Sequence, residues 1–227
     1  MPRETFTREL NALQDQMLTL GSMVQQAILD AVDALKRRDM AASQRIIDGD
    51  SVINELRFSI ERDCLVLIAT QQPMASDLRT IAAVLEIATE LERMGDYAKG
   101  ISRINISMGD QPLLKPLIDI PRMAEKGCDM LRRALDAFIR RDVEAARAIP
   151  LEDDEVDALY NQVYRELLTY IIADPHTIDQ ATQLLWAAHN LERFADRVTN
   201  ICERVVFTVT GELKEMDAEH MGHHAIT

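Results

Sequence analysis

Apolar residues recur through positions 8–38 at Leu10, Leu13, Met17, Leu20, Val24, Ile28, Ala31 and Leu35. The steps are three or four residues, the spacing that lines one face of an α-helix. Basic Lys36–Arg38 followed by Asp39 suits a helix C-terminus and the N-cap of the next helix. A second helix is predicted over about 40–71, with Ile46, Ile53, Leu56, Ile60, Cys64 and Leu67 on one side. Asp48-Gly49-Asp50 is expected to bend it, because glycine is unfavourable inside a helix. Pro73 marks a turn, after which Ser76 or Asp77 is expected to cap a third helix. That helix carries Leu78, Ile81, Leu85, Ala88, Leu91, Gly95, Ala98 and Ile101 and is expected to end near Gly109.

A loop with Pro112, Pro116 and Pro121 follows, and the pattern then returns. Ala34–Asp39 matches Ala137–Asp142, and Asp50-x-x-Ile53-Asn54-x-Leu56 matches Asp153-x-x-Val156-Asp157-x-Leu159, both at an offset of 103. Leu91-Glu92-Arg93-x-x-Asp96 matches Leu191-Glu192-Arg193-x-x-Asp196 at an offset of 100. The offset changes only across the turn, where a deletion is tolerated. The chain is therefore an internal duplication, each copy three helices of roughly 30 residues, or about 45 Å. One such helix cannot bury its seam alone, whereas three can. The predicted fold is all-α, two similar three-helix bundles related by an approximate two-fold axis. The first is placed at residues 1–109 and the second at 110–210. A polar tail, 211–227, carries His220, His223 and His224. Pro150 should kink the fifth helix or mark its true start.

Eight glycines and seven prolines in 227 residues agree with long helices and few turns. With 25 basic and 38 acidic residues the formal charge is −13. That balance excludes a nucleic-acid binder and docking on anionic lipid by charge alone, and it leaves cations or a basic protein surface as ligands. The N-terminus lacks the apolar core of a signal peptide, and no apolar run approaches the ~20 residues of a membrane span. Cys64, Cys128 and Cys202 form no CxxC pair and read as reduced, buried thiols of a cytoplasmic protein.

The acids carry the candidate chemistry. Glu92 and Asp96 are four apart and share a helix face, as do Glu192 and Asp196, Asp153 and Asp157, and Asp50 and Asn54. Folding each hairpin about its turn, at Pro73 or between Asp174 and Pro175, sets Asp50 level with Asp96 and Asn54 with Glu92. It likewise sets Asp153 level with Asp196 and Asp157 with Glu192. Carboxylates gathered at one level repel unless a cation lies between them, and oxygen donors suit Mg, Mn, Ca and, in carboxylate-rich helical sites, iron. Asn54, a neutral donor, makes the first site the weaker. A metalloenzyme or metal buffer is one alternative, and a scaffold whose acids only aid solubility is another. Ferritin-like catalysis would use Glu-x-x-His, which the chain lacks. His189 stands where the first copy has Thr89 and reads as an ordinary helix residue.

The turn segment Gln72-Pro73-Met74-Ala75-Ser76-Asp77-Leu78-Arg79 and the doubled Leu-Glu-Arg-x-x-Asp resemble the PhoU family, over about residues 5–210. The resemblance implies two three-helix bundles, a cytoplasmic, non-enzymatic negative regulator of phosphate uptake and phosphate-starvation signalling, and a homodimer. It implies an adaptor between the phosphate ABC transporter ATPase and a sensor histidine kinase. It also implies bound metal ions (Fe, Mn, Mg or Zn), including multinuclear clusters. The metal motifs carry over to Glu92 with Asp96, Glu192 with Asp196 and Asp153 with Asp157. Asp50 with Asn54 departs at its second acid. Phe194-Ala195 replaces the family's usual Ile-Gly, which is expected to alter packing there.

Overall fold

A computed structural model describes residues 2–216, so His220, His223 and His224 lie outside the described residues. The predicted first seam is buried along the whole of α1 (Pro2–Arg37). Helix α2 (Met40–Gln71) runs unbroken through Gly49, with helical hydrogen bonding on both sides of it. Gly49 meets nothing that would distort it, while Ile53 and Ile60 further along are held in the core. Helix α3 (Ala75–Ser107) starts two or three residues earlier than a Ser76 or Asp77 cap would give. Its N-cap is Met74, with no side-chain cap, so neither Ser76 nor Asp77 caps it. Asp77 instead sits in the first turn, where a carboxylate interacts favourably with the positive end of the helix dipole. Leu78 lies outside the core, contrary to the predicted seam.

The second copy is more broken than the first. Helix α4 spans Asp119–Arg140, and Pro121 lies in its first turn, where a missing N–H is not needed. The predicted fifth helix divides into α5 (Val143–Ala148), a 3₁₀ turn (Ile149–Glu152) holding Pro150, and α6 (Asp153–Ala173). A second short 3₁₀ turn at Pro175–Thr177 leads into α7 (Ile178–Thr210). Both copies make the first junction alike. Arg38 and Arg141 take positive φ angles of 58° and 55°. Asp39 and Asp142 then accept the amide protons of Ala42 and Ala145 at 2.8 and 3.0 Å. The repeated Arg-Arg-Asp is thus a stop-and-restart signal.

Helices α1–α3 pack as one bundle and α4, α6 and α7 as the other; α3 lies against α7 and α1 against α4, so one core runs through both. Across the α3–α7 contact, buried Glu90 accepts from Arg197 at 2.7 Å and Asn200 at 3.2 Å. Arg197 also donates to the Tyr97 hydroxyl at 2.9 Å. Among the described residues no helix is long and apolar enough to cross a membrane.

The bulky Phe194 is accommodated by a compensating exchange between copies. Met94 and Val24 of the first copy become Phe194 and Gly127 in the second. A Cβ built on Gly127 would stand 2.9 Å from Phe194 Cδ1, and that ring is fully buried. Just before α6, Glu152 takes a two-pronged contact from Arg133 and one from Lys126, all at 2.6–2.7 Å. These cations hold its carboxyl down at about 2. The contact pins the start of α6, and hence Asp153, to α4.

Two outcomes are expected. Gly127→Ala should destabilise the fold by about 1 kcal/mol in urea unfolding, since overlap with Phe194 exceeds the gain in helix propensity. Adding Phe194→Met should remove that loss. The three cysteines are free, and burial pushes each thiol up to about 12. They should therefore react with a thiol reagent only after unfolding.

Candidate functional site

Asp153, Asp157, Glu192 and Asp196 lie in one another's electrostatic field, as Glu92 does in that of Asp96 and Asp50, but the two clusters differ. In the second, Asp153 is the first residue of α6 and lies within hydrogen-bonding reach of Asp196 on α7. Burial raises the Asp153 carboxyl to about 7, with further upward pushes from Asp196, Asp157 and Glu192. Asp153 therefore holds its proton well above the usual carboxylate range, and the protonated form can share it with Asp196. Asp157, Glu192 and Asp196 are also raised, each chiefly by burial. Two buried oxygens, Asp153 Oδ1 and Glu192 Oε2, have no hydrogen-bond donor. His189 Nδ1 lies 2.9 Å from Glu192 Oε2, an ion-pair contact that pulls the Glu192 carboxyl down against its burial.

The first cluster is compensated from within. Asp50, nearly fully buried, accepts from Lys99 at 2.5 Å and from the Asn54 amide at 3.1 Å. Asn54 thus spends its amide on the neighbouring acid. Glu92 is raised by burial and by Asp96 and Asp50, while Arg57 and Arg93 oppose that rise. Lys99 and Arg57 are the difference, because the matching positions of the second copy are Thr199 and Tyr160.

Spacing within each motif does not mark Lys99, Arg57, Tyr160 or His189 as part of these sites. Aligning the copies residue by residue outside the motifs does, since it exposes which charges change. His189, read from the chain as an ordinary helix residue, stands against a candidate ligand instead.

The donor set of the second cluster fits an oxygen-preferring cation, since it offers four carboxylates and two buried oxygens that lack a donor. The first fits poorly, because an ammonium and a guanidinium already serve its acids. Among the described residues, no three His, Cys, Asp or Glu side chains converge closely enough to hold an ion as they stand.

The pH dependence follows from the raised acids. The folded chain holds the Asp153 proton up to about pH 7, whereas an unfolded aspartate releases it near 4. Stability should therefore fall as pH rises from about 4 through 7 and level off above. Asp153→Asn should flatten that decline in denaturant titrations at pH 5, 6, 7 and 8; an unchanged slope would place the raised proton elsewhere.

Comparison with known proteins follows this geometry. The PhoU domain model matches residues 17–104 and again 120–205, one match in each copy. The chain is 37% identical to the phosphate-specific transport system accessory protein PhoU of Serratia marcescens, covering 97% of this chain and 89% of that one. It is 36% identical to the Escherichia coli protein of the same name, covering 96% and 88%. Among solved structures, the phosphate transport system regulatory protein PhoU from Streptococcus pneumoniae superposes with a TM-score of 0.84 at 33% identity, over 92% of this chain and 99% of that one. PhoU from Pseudomonas aeruginosa gives 0.85 at 33% identity, over 91% and 100%.

Proposed function

The chain belongs to the PhoU family, and on that premise we propose that it is a negative regulator of phosphate uptake and phosphate-starvation signalling. It acts in the cytoplasm, as an adaptor between the ATPase of the phosphate ABC transporter and a sensor histidine kinase. Its relatives' names support the phosphate-transport part of this reading: they are accessory or regulatory proteins of that system, matched over nearly their whole length.

The observation that carries the adaptor's chemistry is the second cluster, four acids that no lysine or arginine among the described residues hydrogen-bonds. Asp153, Asp157, Glu192 and Asp196 would hold a divalent or iron-type cation there. Such an ion supplies positive charge that lets all four acids ionise together. It would also displace the proton from Asp153, so affinity rises with pH through about 7. The pinned α6 start fixes Asp153, while exposed Asp196 leaves the cluster open to solvent on one side. The first cluster takes an ion only if Lys99 leaves Asp50.

Elemental analysis of protein purified without a His tag tests the metal reading. Wild type and Asp50→Asn/Asp96→Asn should carry one or more metal equivalents per chain. Asp153→Asn/Asp196→Asn should carry none. Equal loading of the two double variants would overturn the assignment to the second cluster. The adaptor reading is tested separately, by whether the chain retains the transporter ATPase in pull-downs at high but not low phosphate.

A further inference from the structure

The α6–α7 stripe does not end at the carboxylates. Beyond the Asp153/Asp196 and Asp157/Glu192 levels come Tyr160 with His189, and then Tyr164 with Trp186. These side chains are contiguous. Tyr160 and His189 rings lie 6.1 Å apart, and Trp186 meets His189 edge-on at 5.6 Å. Tyr160 stands beside Tyr164 and in the field of Glu192. Yet Trp186 is 57% exposed and Tyr164 44%. A contiguous Trp–His–Tyr–Tyr surface left in water differs from the scattered apolar residues of an ordinary surface.

The duplication supplies an internal control. In the first copy the same levels hold Arg57 with Thr89, and Glu61 with Glu86. Arg57 and Glu61 pair with each other at 2.7 Å, and Glu86 faces solvent as Trp186 does. The fold therefore requires no aromatic residue at any of these positions. What distinguishes the second copy is a face of aromatic rings running into four acids that no lysine among the described residues reaches, with His189 paired to Glu192 and with Arg193 and Arg197 in the field of Asp196. The guanidinium hydrogen bonds themselves point elsewhere. Arg193 and Arg197 donate to Tyr97 on α3, and Arg165 lines a cavity of about 700 Å³ beside Lys115 and Glu166.

We propose that the stripe Tyr160–Tyr164–Trp186–His189, closed at one end by Glu192 and Asp157, docks a basic segment of a protein partner through an arginine stacked on its rings. This names a surface for the adaptor and rests on that reading. Arginine fits best, because a guanidinium stacks on ring faces while donating to carboxylates. The chain already shows this contact internally, with Arg197 over the Tyr97 ring at 5.8 Å. Tyr and Trp at such a face are the residues that most often anchor protein interfaces. Charge selects the partner's sign, since the chain carries −13 and the stripe ends on the acids Asp157 and Glu192.

The test uses the full chain and an alternating glycine–arginine dodecapeptide, with lysine and glutamate counterparts, at physiological salt in EDTA. Trp186, the only tryptophan, reports binding by its fluorescence, and calorimetry gives Kd. The variant Tyr164→Glu/Trp186→Glu/His189→Thr carries the first copy's residues, which this fold accommodates at those levels, and leaves the acids without the guanidinium that Arg57 supplies there. It is two charges more negative, so diffuse attraction would bind the arginine peptide more tightly, whereas docking on the rings predicts binding about tenfold weaker. In wild type the arginine peptide should shift Trp186 emission, the lysine peptide bind less tightly, and the glutamate peptide not bind. Equal or tighter binding by the variant overturns the proposal. So does a wild-type dimer in sedimentation that the variant abolishes, which would make the occupant a second copy. Because EDTA removes metal and neither transporter nor kinase is present, failure here leaves the metal and adaptor tests standing, and their failure leaves this result intact.

Discussion

The register of an antiparallel helix pair is set by the side chains buried between the helices, and both candidate surfaces of this chain depend on it. In the first copy Ile53, Ile60 and Leu67 of α2 lie in the core with Ile81, Ala88 and Leu91 of α3. In the second, Val156, Val163 and Leu167 of α6 meet Leu184, Ala188 and Leu191 of α7. A slip of one helical turn, about 5.4 Å, would move every one of these residues out of its place in a close-packed interior. The same register places Asp153 at Asp196, Asp157 by Glu192 and Tyr160 by His189. Core packing thus fixes the spacing of groups that would otherwise repel.

That constraint acts equally on both copies, so their differences come from side chains the core does not dictate. Lys99 and Arg57 serve the first acidic cluster, whereas the second has Thr199 and Tyr160 in their places, relies on His189 beside Glu192, and is bordered by aromatic rings. Only one copy retains a surface able to reward a positively charged ligand. The Glu90–Arg197–Tyr97 network and the shared core tie the copies together, so a ligand on α6 and α7 acts on a helix that packs directly against the first bundle.

The packing exchange at Gly127 and Phe194 shows how duplicated bundles diverge without losing their shape. A large residue gained on α7 is matched by one removed on α4, and the interior stays filled. The second copy also gives up one continuous helix for α5, a 3₁₀ turn and α6. Pro150 removes a backbone donor there, and the Glu152 contacts with Arg133 and Lys126 secure the break.

By itself the sequence determined the helices, their duplication and the levels at which the acids stand. Periodicity of three and four residues, and the symmetry of a hairpin about its turn, are properties of the backbone that any reader of the chain can count. It did not determine the α3 cap, the continuity of α2 through Gly49 or the exposure of Leu78, since tertiary packing overrides such local preferences. Nor did it reveal that Lys99 reaches Asp50, that Asn54 turns its amide to the same carboxylate, or that His189 meets Glu192. Those contacts depend on rotamers and on which flexible cation finds which acid, and only the assembled bundle decides them. The charge difference between the copies was therefore present in the sequence at Arg57, Lys99, Tyr160 and Thr199, but it acquired meaning only once the fold set those residues beside the acids.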